Sequence, residues 1–120
     1  MVQMCRLRLM VANDPRSYRE AIAPVIQRLQ PDVEVMVVDP ADLAEQVELW
    51  CPHMVISSVP VARPGDSPLC WVALYPAGQT QVVVTIAGQQ TWARDIDLAA
   101  LLAVVDRAAA LVSSMDLYNI

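Results

Sequence analysis

The segment that decides the fold spans residues 53–60 and reads HMVISSVP. Its run of apolar and β-branched residues predicts a buried β-strand that ends at Ser57 and Ser58, and a proline follows. Two earlier segments, 5–12 and 33–38, are also apolar and predict strands. Residues between them carry helical periodicity, with Tyr18, Ile22, Val25, Ile26 and Leu29 on one face of the first helix and Leu43, Val47 and Trp50 on the second. This β-α-β-α-β order predicts a parallel sheet with helices on its faces.

The second half of the chain breaks that alternation. Residues 60–69 contain three prolines and a glycine, which excludes a helix there. Strands are predicted at 70–75 and 81–87, and the five residues between them are too few for a parallel crossover, so the two strands form an antiparallel hairpin. A loop at 88–94 leads to a final helix that begins near Asp95 or Asp97. We therefore predict a single α/β domain over residues 1–120 with a five-stranded sheet and three layers, and a loose tail over 113–120.

Composition excludes several classes of function. No apolar run approaches the roughly 18–20 residues of a membrane helix, so no membrane contact is expected and the protein is predicted to be cytoplasmic. The net charge is −5 and the eight arginines are scattered, which argues against nucleic acid as a partner. The three glycines, at positions 65, 78 and 88, are too far apart in the sequence to form a dinucleotide-binding or phosphate-binding loop. We therefore expect no cofactor. Cys51 and His53 are two residues apart, but burial explains them better than a metal site.

Two motifs resemble response-regulator receiver domains, which have a flavodoxin-like fold. In residues 11–20, VANDPRSYRE, a strand runs into a polar pair, a proline and an Arg-Glu sequence. In residues 52–58, PHMVISS, a proline and apolar residues lead to the position where receivers carry the phosphorylated aspartate. The resemblance covers residues 5–60, whereas the stretch 60–94 departs from the family.

The resemblance implies a degenerate receiver. Asp14 matches one carboxylate of the family's magnesium-binding pair and Asn13 replaces the other. Ser58, or Ser57 by a shift of one residue, stands at the phospho-acceptor position, and the chain contains no lysine at all. A serine hydroxyl is a weak metal ligand with no evident base to activate it. We therefore expect a non-catalytic, phosphorylation-incompetent signalling or assembly module, without a bound metal.

The same residues support a second reading, in which the domain binds a small ligand or an anion. The carboxyl edge of a parallel sheet is where such folds bind ligands. The pocket would comprise Asn13, Asp14, Asp39, Ser57 and Ser58. The two aspartates would repel an anion placed there.

An interface is predicted at the hairpin of residues 70–87. Its strands are apolar on both faces, but only the short helix at 40–50 remains to cover one of them. Exposing several hundred Å² of that surface would cost on the order of 10 kcal/mol. A homodimer would bury it through Trp71, Ala73, Tyr75, Val82, Val84 and Ile86. Another signalling protein could serve as the partner, or the segment 60–69 could cover the face of a monomer.

Overall fold

A computed structural model describes residues 7–14, 16–58, 69–74 and 81–118, with side chains described as far as residue 114. Among the helices in these ranges, none is both long and apolar enough to cross a membrane. The elements follow in the order β1 (Arg8–Ala12), α1 (Arg16–Leu29), β2 (Glu34–Val37), a 3-10 turn (Pro40–Asp42), α2 (Leu43–Trp50), β3 (Met54–Ser57), β4 (Cys70–Leu74), β5 (Val82–Ile86), β6 (Gln89–Ala93) and α3 (Leu98–Tyr118).

These strands form one mixed sheet with the order β2-β1-β3-β4-β5-β6. The first four are mutually parallel, and β5 and β6 are antiparallel to their neighbours. The α/β class, the parallel part and the antiparallel pairing of β4 with β5 are therefore confirmed. The sheet has six strands instead of the predicted five, so strand count and order differ from the prediction. The flavodoxin-like fold itself stays a prediction.

The additional strand is β6, which lies where a loop was predicted over residues 88–94. Ala87 and Gly88 form a two-residue turn in which both residues have positive φ, 51° and 84°. Such a turn matches the right-handed twist of a hairpin and returns the chain alongside β5. All five residues of β6 are exposed, so it forms through backbone pairing and shows no apolar alternation in the sequence.

The helices cover the two faces of the sheet unequally, as expected. α1 and α3 pack on one face, where Ile26 and Val105 join the larger apolar core. α2 packs on the other face, where Leu43 joins a smaller cluster with Met10 and Val55. The first two crossovers therefore lie on opposite faces of the sheet.

The predicted apolar face of α1 is only partly confirmed: Ile22 and Ile26 contact the core, but the helix is rotated from the predicted orientation. Tyr18 and Leu29 are more than half exposed, whereas the fully inward positions are Arg19, Ala23 and Ile26. A buried arginine occupies the first inward position, and the sequence pattern had assigned charged residues to the surface. This arginine belongs to the candidate site described below.

The final helix begins at Leu98, directly after Asp97, which is one of the two predicted start positions. The carboxylate of Asp97 accepts a hydrogen bond from the N–H of Ala100 at 2.7 Å, which satisfies one of the free donors of the first turn. The helix does not end at residue 113, where a loose tail was predicted, but continues through Tyr118.

The residues predicted as a hairpin interface do not share a face. Register places Trp71 and Ala73 on the α2 side of the sheet, and Val82, Val84 and Ile86 on the α1 and α3 side. All five are buried within one chain, with exposures between 0% and 9%. Tyr75 lies outside the described residues. These buried side chains do not present a surface to a second copy.

Candidate functional site

The candidate site lies at the carboxyl edge of the sheet, between β1 and β3. The chain leaves β1 toward β2 on one side and later returns to β3 on the other, so the strand order reverses at this point. Two crossovers on opposite faces leave a crevice between such strands, and open α/β sheets bind ligands there. Asn13 follows β1, and Ser58 follows β3 in the neighbouring register position.

Asn13 is the most unusual residue of the site. Its side chain has no exposed surface, and among the described residues neither its Nδ2 nor its Oδ1 has a hydrogen-bond partner. Most buried polar side-chain atoms in proteins are paired. Each unpaired buried group costs about 1–3 kcal/mol. The Asn13 amide therefore retains one donor group and one acceptor whose capacity the fold does not use.

Ser58, by contrast, is fully engaged with the backbone across the crevice. Its Oγ accepts a hydrogen bond from the N–H of Asp14 at 2.7 Å and donates to the carbonyl oxygen of Asp14 at 3.3 Å. These two bonds tie the end of β3 to the residues that follow β1. In this position the hydroxyl is a structural link, and no described base stands beside it to remove its proton.

Arg19 provides a cation that the sequence analysis did not include in the site. It projects from the first turn of α1, and its side chain is only 8% exposed. Its Nη1 donates to the carbonyl oxygen of Asn13 and to Oδ1 of Asp14, both at 3.3 Å. Its Nη2 lies 3.9 Å from Oδ2 of Asp39. One guanidinium therefore bridges two carboxylates at the mouth of the crevice.

A sequence signal for Arg19 existed in the spacing of α1. Positions 19, 23 and 26 are separated by four and three residues and form one helical face. The predicted face at 18, 22, 25, 26 and 29 is the more apolar one, and it shares only Ile26 with the buried face.

The remaining predicted site residues are near this arrangement. Asp39 begins the turn after β2 and uses its Oδ1 to accept a hydrogen bond from the N–H of Ala41 at 2.9 Å. Ser57 is fully buried on the last register position of β3, between Ala12 and Ala73. The structure thus brings Asn13, Asp14, Asp39 and Ser58 to one edge of the sheet, and Ser57 lies one residue below it.

Cys51 and His53 lie at the opposite edge of the sheet, where Cys51 is exposed and His53 is partly buried, so the burial predicted for the pair is wrong for Cys51. His53 Nδ1 accepts a hydrogen bond from the N–H of Arg8 at 2.9 Å, and the Arg8 guanidinium donates to the carbonyl oxygen of Cys51. No group of three or more potential metal ligands occurs in the described ranges. The pair therefore has a role in joining β1 to the start of β3.

No family model, no curated protein and no solved structure matches this chain. The resemblance to receiver domains therefore stays a prediction, and the functional argument depends on the geometry of the site.

Proposed function

We propose that this chain is a non-catalytic, receiver-like binding module that takes a small polar ligand between β1 and β3. The observation that carries the proposal is the Asn13 amide, which is fully buried and whose two polar atoms have no hydrogen-bond partner among the described residues. A ligand that pairs with this amide would convert its cost into binding free energy. The position supports the same reading, because strand order reverses beside Asn13.

The charges of the site favour a neutral ligand over an anion. Asp14 and Asp39 are both more than 60% exposed at the mouth of the crevice, and the Arg19 guanidinium already interacts with both carboxylates. An anion entering this region would meet two like charges, and the buried cation beside them is already engaged. A planar group with a donor and an acceptor side by side, such as a carboxamide or a nucleobase edge, matches the free capacity of the Asn13 amide.

Entry of such a ligand requires a local opening of the crevice. The Asn13 side chain has no exposed surface in this conformation. The hydrogen bonds between Ser58 and the Asp14 backbone join the two strand ends next to Asn13, so we expect the opening to break them. Binding that depends on this opening should be slower than an encounter with a preformed site.

The same contacts support a non-catalytic role. The Ser58 hydroxyl is used by the backbone of Asp14, so it is not poised as a nucleophile. The chain also has no lysine, which receiver chemistry requires according to the resemblance. Incubation with acetyl phosphate and Mg²⁺ should leave the protein mass unchanged. A gain of one phosphoryl group would overturn this part of the proposal.

An NMR titration tests the ligand site directly. The Asn13 side-chain amide resonances of ¹⁵N-labelled protein should shift with nicotinamide or uracil at millimolar concentration, and not with phosphate or acetate. Asn13→Leu should remove binding, whereas Gln30→Leu, which removes an amide just after the end of α1, should retain it. If no probe shifts the Asn13 resonances, or if binding persists in Asn13→Leu, the ligand site is wrong.

Assembly through protein–protein contacts is the second candidate function. The interior of the 70–87 hairpin does not favour it, because the side chains predicted as the interface are buried in one chain. A different surface does favour it: the strand β6 lies at the end of the sheet and carries an indole that is 62% exposed, that of Trp92.

A further inference from the structure

We propose that β6 pairs with the β6 of a second copy of this chain, in antiparallel orientation, to form a continuous sheet across a homodimer. This inference rests on the second candidate function, assembly, and is independent of the ligand site. It starts from the backbone of β6, which ends the sheet in the described part of the chain.

The direction of the free backbone groups of β6 follows from the alternation of hydrogen bonds between neighbouring strands. The N–H of Ala87 donates to the carbonyl oxygen of Leu69 at 2.9 Å, so the odd-numbered residues of β5 pair with β4. The even-numbered residues of β5 then pair with Gln89, Thr91 and Ala93. The backbone N–H and C=O groups of Gln90 and Trp92 therefore point away from the sheet.

The strand lacks the features that normally protect an edge. Natural edge strands carry charges, prolines or bulges that prevent pairing with another chain. β6 reads QQTWA, contains none of these charges or prolines, and pairs with β5 in an uninterrupted register. By comparison, the other edge strand, β2, begins with the charged residue Glu34.

The sequence of β6 is compatible with a copy of itself. A two-fold axis at Trp92 would place Trp92 opposite its own copy and Gln90 opposite Arg94 of the second chain. The first pair joins two exposed indoles, and the second joins an amide to a guanidinium, so no like charges face each other. Register puts Trp92 on the same sheet face as Val83, which is only partly buried and extends the apolar contact.

The contact is small, which predicts a weak dimer. A strand of five residues is about 17 Å long. Its pairing buries less than the ~1,200 Å² of a typical stable interface. The dimer should therefore form in the range of about 10 µM to 1 mM. A two-fold related copy is also the most common arrangement of homo-oligomers.

Sedimentation velocity and light scattering of the full chain between about 10 µM and 1 mM test the inference. The mass should rise from 13.2 kDa toward twice that value as concentration increases. Trp92→Lys should shift the curve to at least about tenfold higher concentration, since the charge would face its own copy at the axis. Leu49→Lys is the matched control, because Leu49 is an exposed apolar residue (71%) that belongs to α2 and not to β6, and this variant should dimerise normally.

Gln90→Pro provides a second variant that separates edge pairing from side-chain effects. The proline removes an outward-pointing N–H without removing a bond between β5 and β6, so the monomer should fold and the dimer should weaken. A monomer at all concentrations would overturn both this inference and the assembly function. A dimer that tolerates Trp92→Lys and Gln90→Pro would overturn the β6 interface and leave assembly in place through another surface.

Discussion

Replacement of Asn13 by leucine should stabilise this protein and abolish the proposed ligand binding. The two side chains have the same number of heavy atoms and branch at the same carbon, and leucine has no polar atom to leave unpaired. The methyl groups of leucine are larger than the amide, and fitting them in a buried site offsets part of the gain. Two orphaned groups at about 1–3 kcal/mol each give a cost of about 2–6 kcal/mol for the native residue. Local relaxation reduces such costs, so we expect an increase in the free energy of unfolding of about 2 kcal/mol.

Urea unfolding followed by tryptophan fluorescence measures this gain. With an m-value of about 2 kcal/mol/M, typical of a domain of this size, the midpoint should rise by about 1 M while the slope stays the same. Thr85→Val is the matched control: it also removes a buried polar group, but the Thr85 hydroxyl is not among the unpaired atoms. That variant should be neutral or less stable.

The opposite outcome would refute the reasoning. If Asn13→Leu unfolds at a lower urea concentration than the native protein, the Asn13 amide of the native protein is hydrogen-bonded in solution and stabilises the fold. The unpaired amide could then no longer support the ligand site. If the variant is more stable and nicotinamide still binds, the amide is a defect of the fold and the ligand site lies elsewhere.

Three further outcomes follow from the structure. Arg19→Met should destabilise the domain by about 1–2 kcal/mol in urea unfolding, because it releases two like charges while retaining most of the buried stem; the exposure of Asp14 and Asp39 limits the effect. Ala87→Gly should raise the free energy of unfolding by about 0.5–1 kcal/mol, since the left-handed φ of 51° strains alanine and suits glycine; no rise in the thermal midpoint would contradict this. Burial raises the pKa of the Cys70 thiol to about 12, although the charge of Arg107 lowers it slightly. The unfolded chain therefore loses this proton first, and stability should fall by about 1.4 kcal/mol per pH unit as the pH rises from ~9 to ~12. This slope should be weaker in Cys70→Ala, and the absence of lysine removes the side-chain amines that would otherwise titrate in this range.

The central strands of the parallel part of the sheet, β1, β3 and β4, could be predicted because they are largely buried on both faces. The β3 segment is a continuous apolar run, and all four of its residues are buried. The site edge could also be predicted, since the order of elements brings the ends of β1 and β3 together regardless of side-chain detail. That rule alone predicts that Asn13 and Ser58 lie side by side.

The parts that could not be predicted depend on the backbone or on tertiary contact. β6 has five exposed residues, so no apolar period marks it, and its hairpin turn places an alanine where asparagine or glycine gives the usual signal. Arg19 is buried because two carboxylates from other segments meet its guanidinium. A single-helix pattern contains no information about those partners, so it places an arginine at the surface.

At the site, side chains whose hydrogen-bonding groups have partners within the domain can be distinguished from the one whose groups do not. The first kind is structural, and the second is the candidate for function. Ser58 and Arg19 both have partners within the domain, so their chemistry is already used in holding the crevice together. Asn13 lies between them with its amide unused, although an apolar residue of the same size would make the domain more stable. Proteins tolerate such a local conflict mainly where function requires it. The residue that fits the fold least well is therefore the one on which binding should depend, and Ser58 is part of the structure that holds it in place.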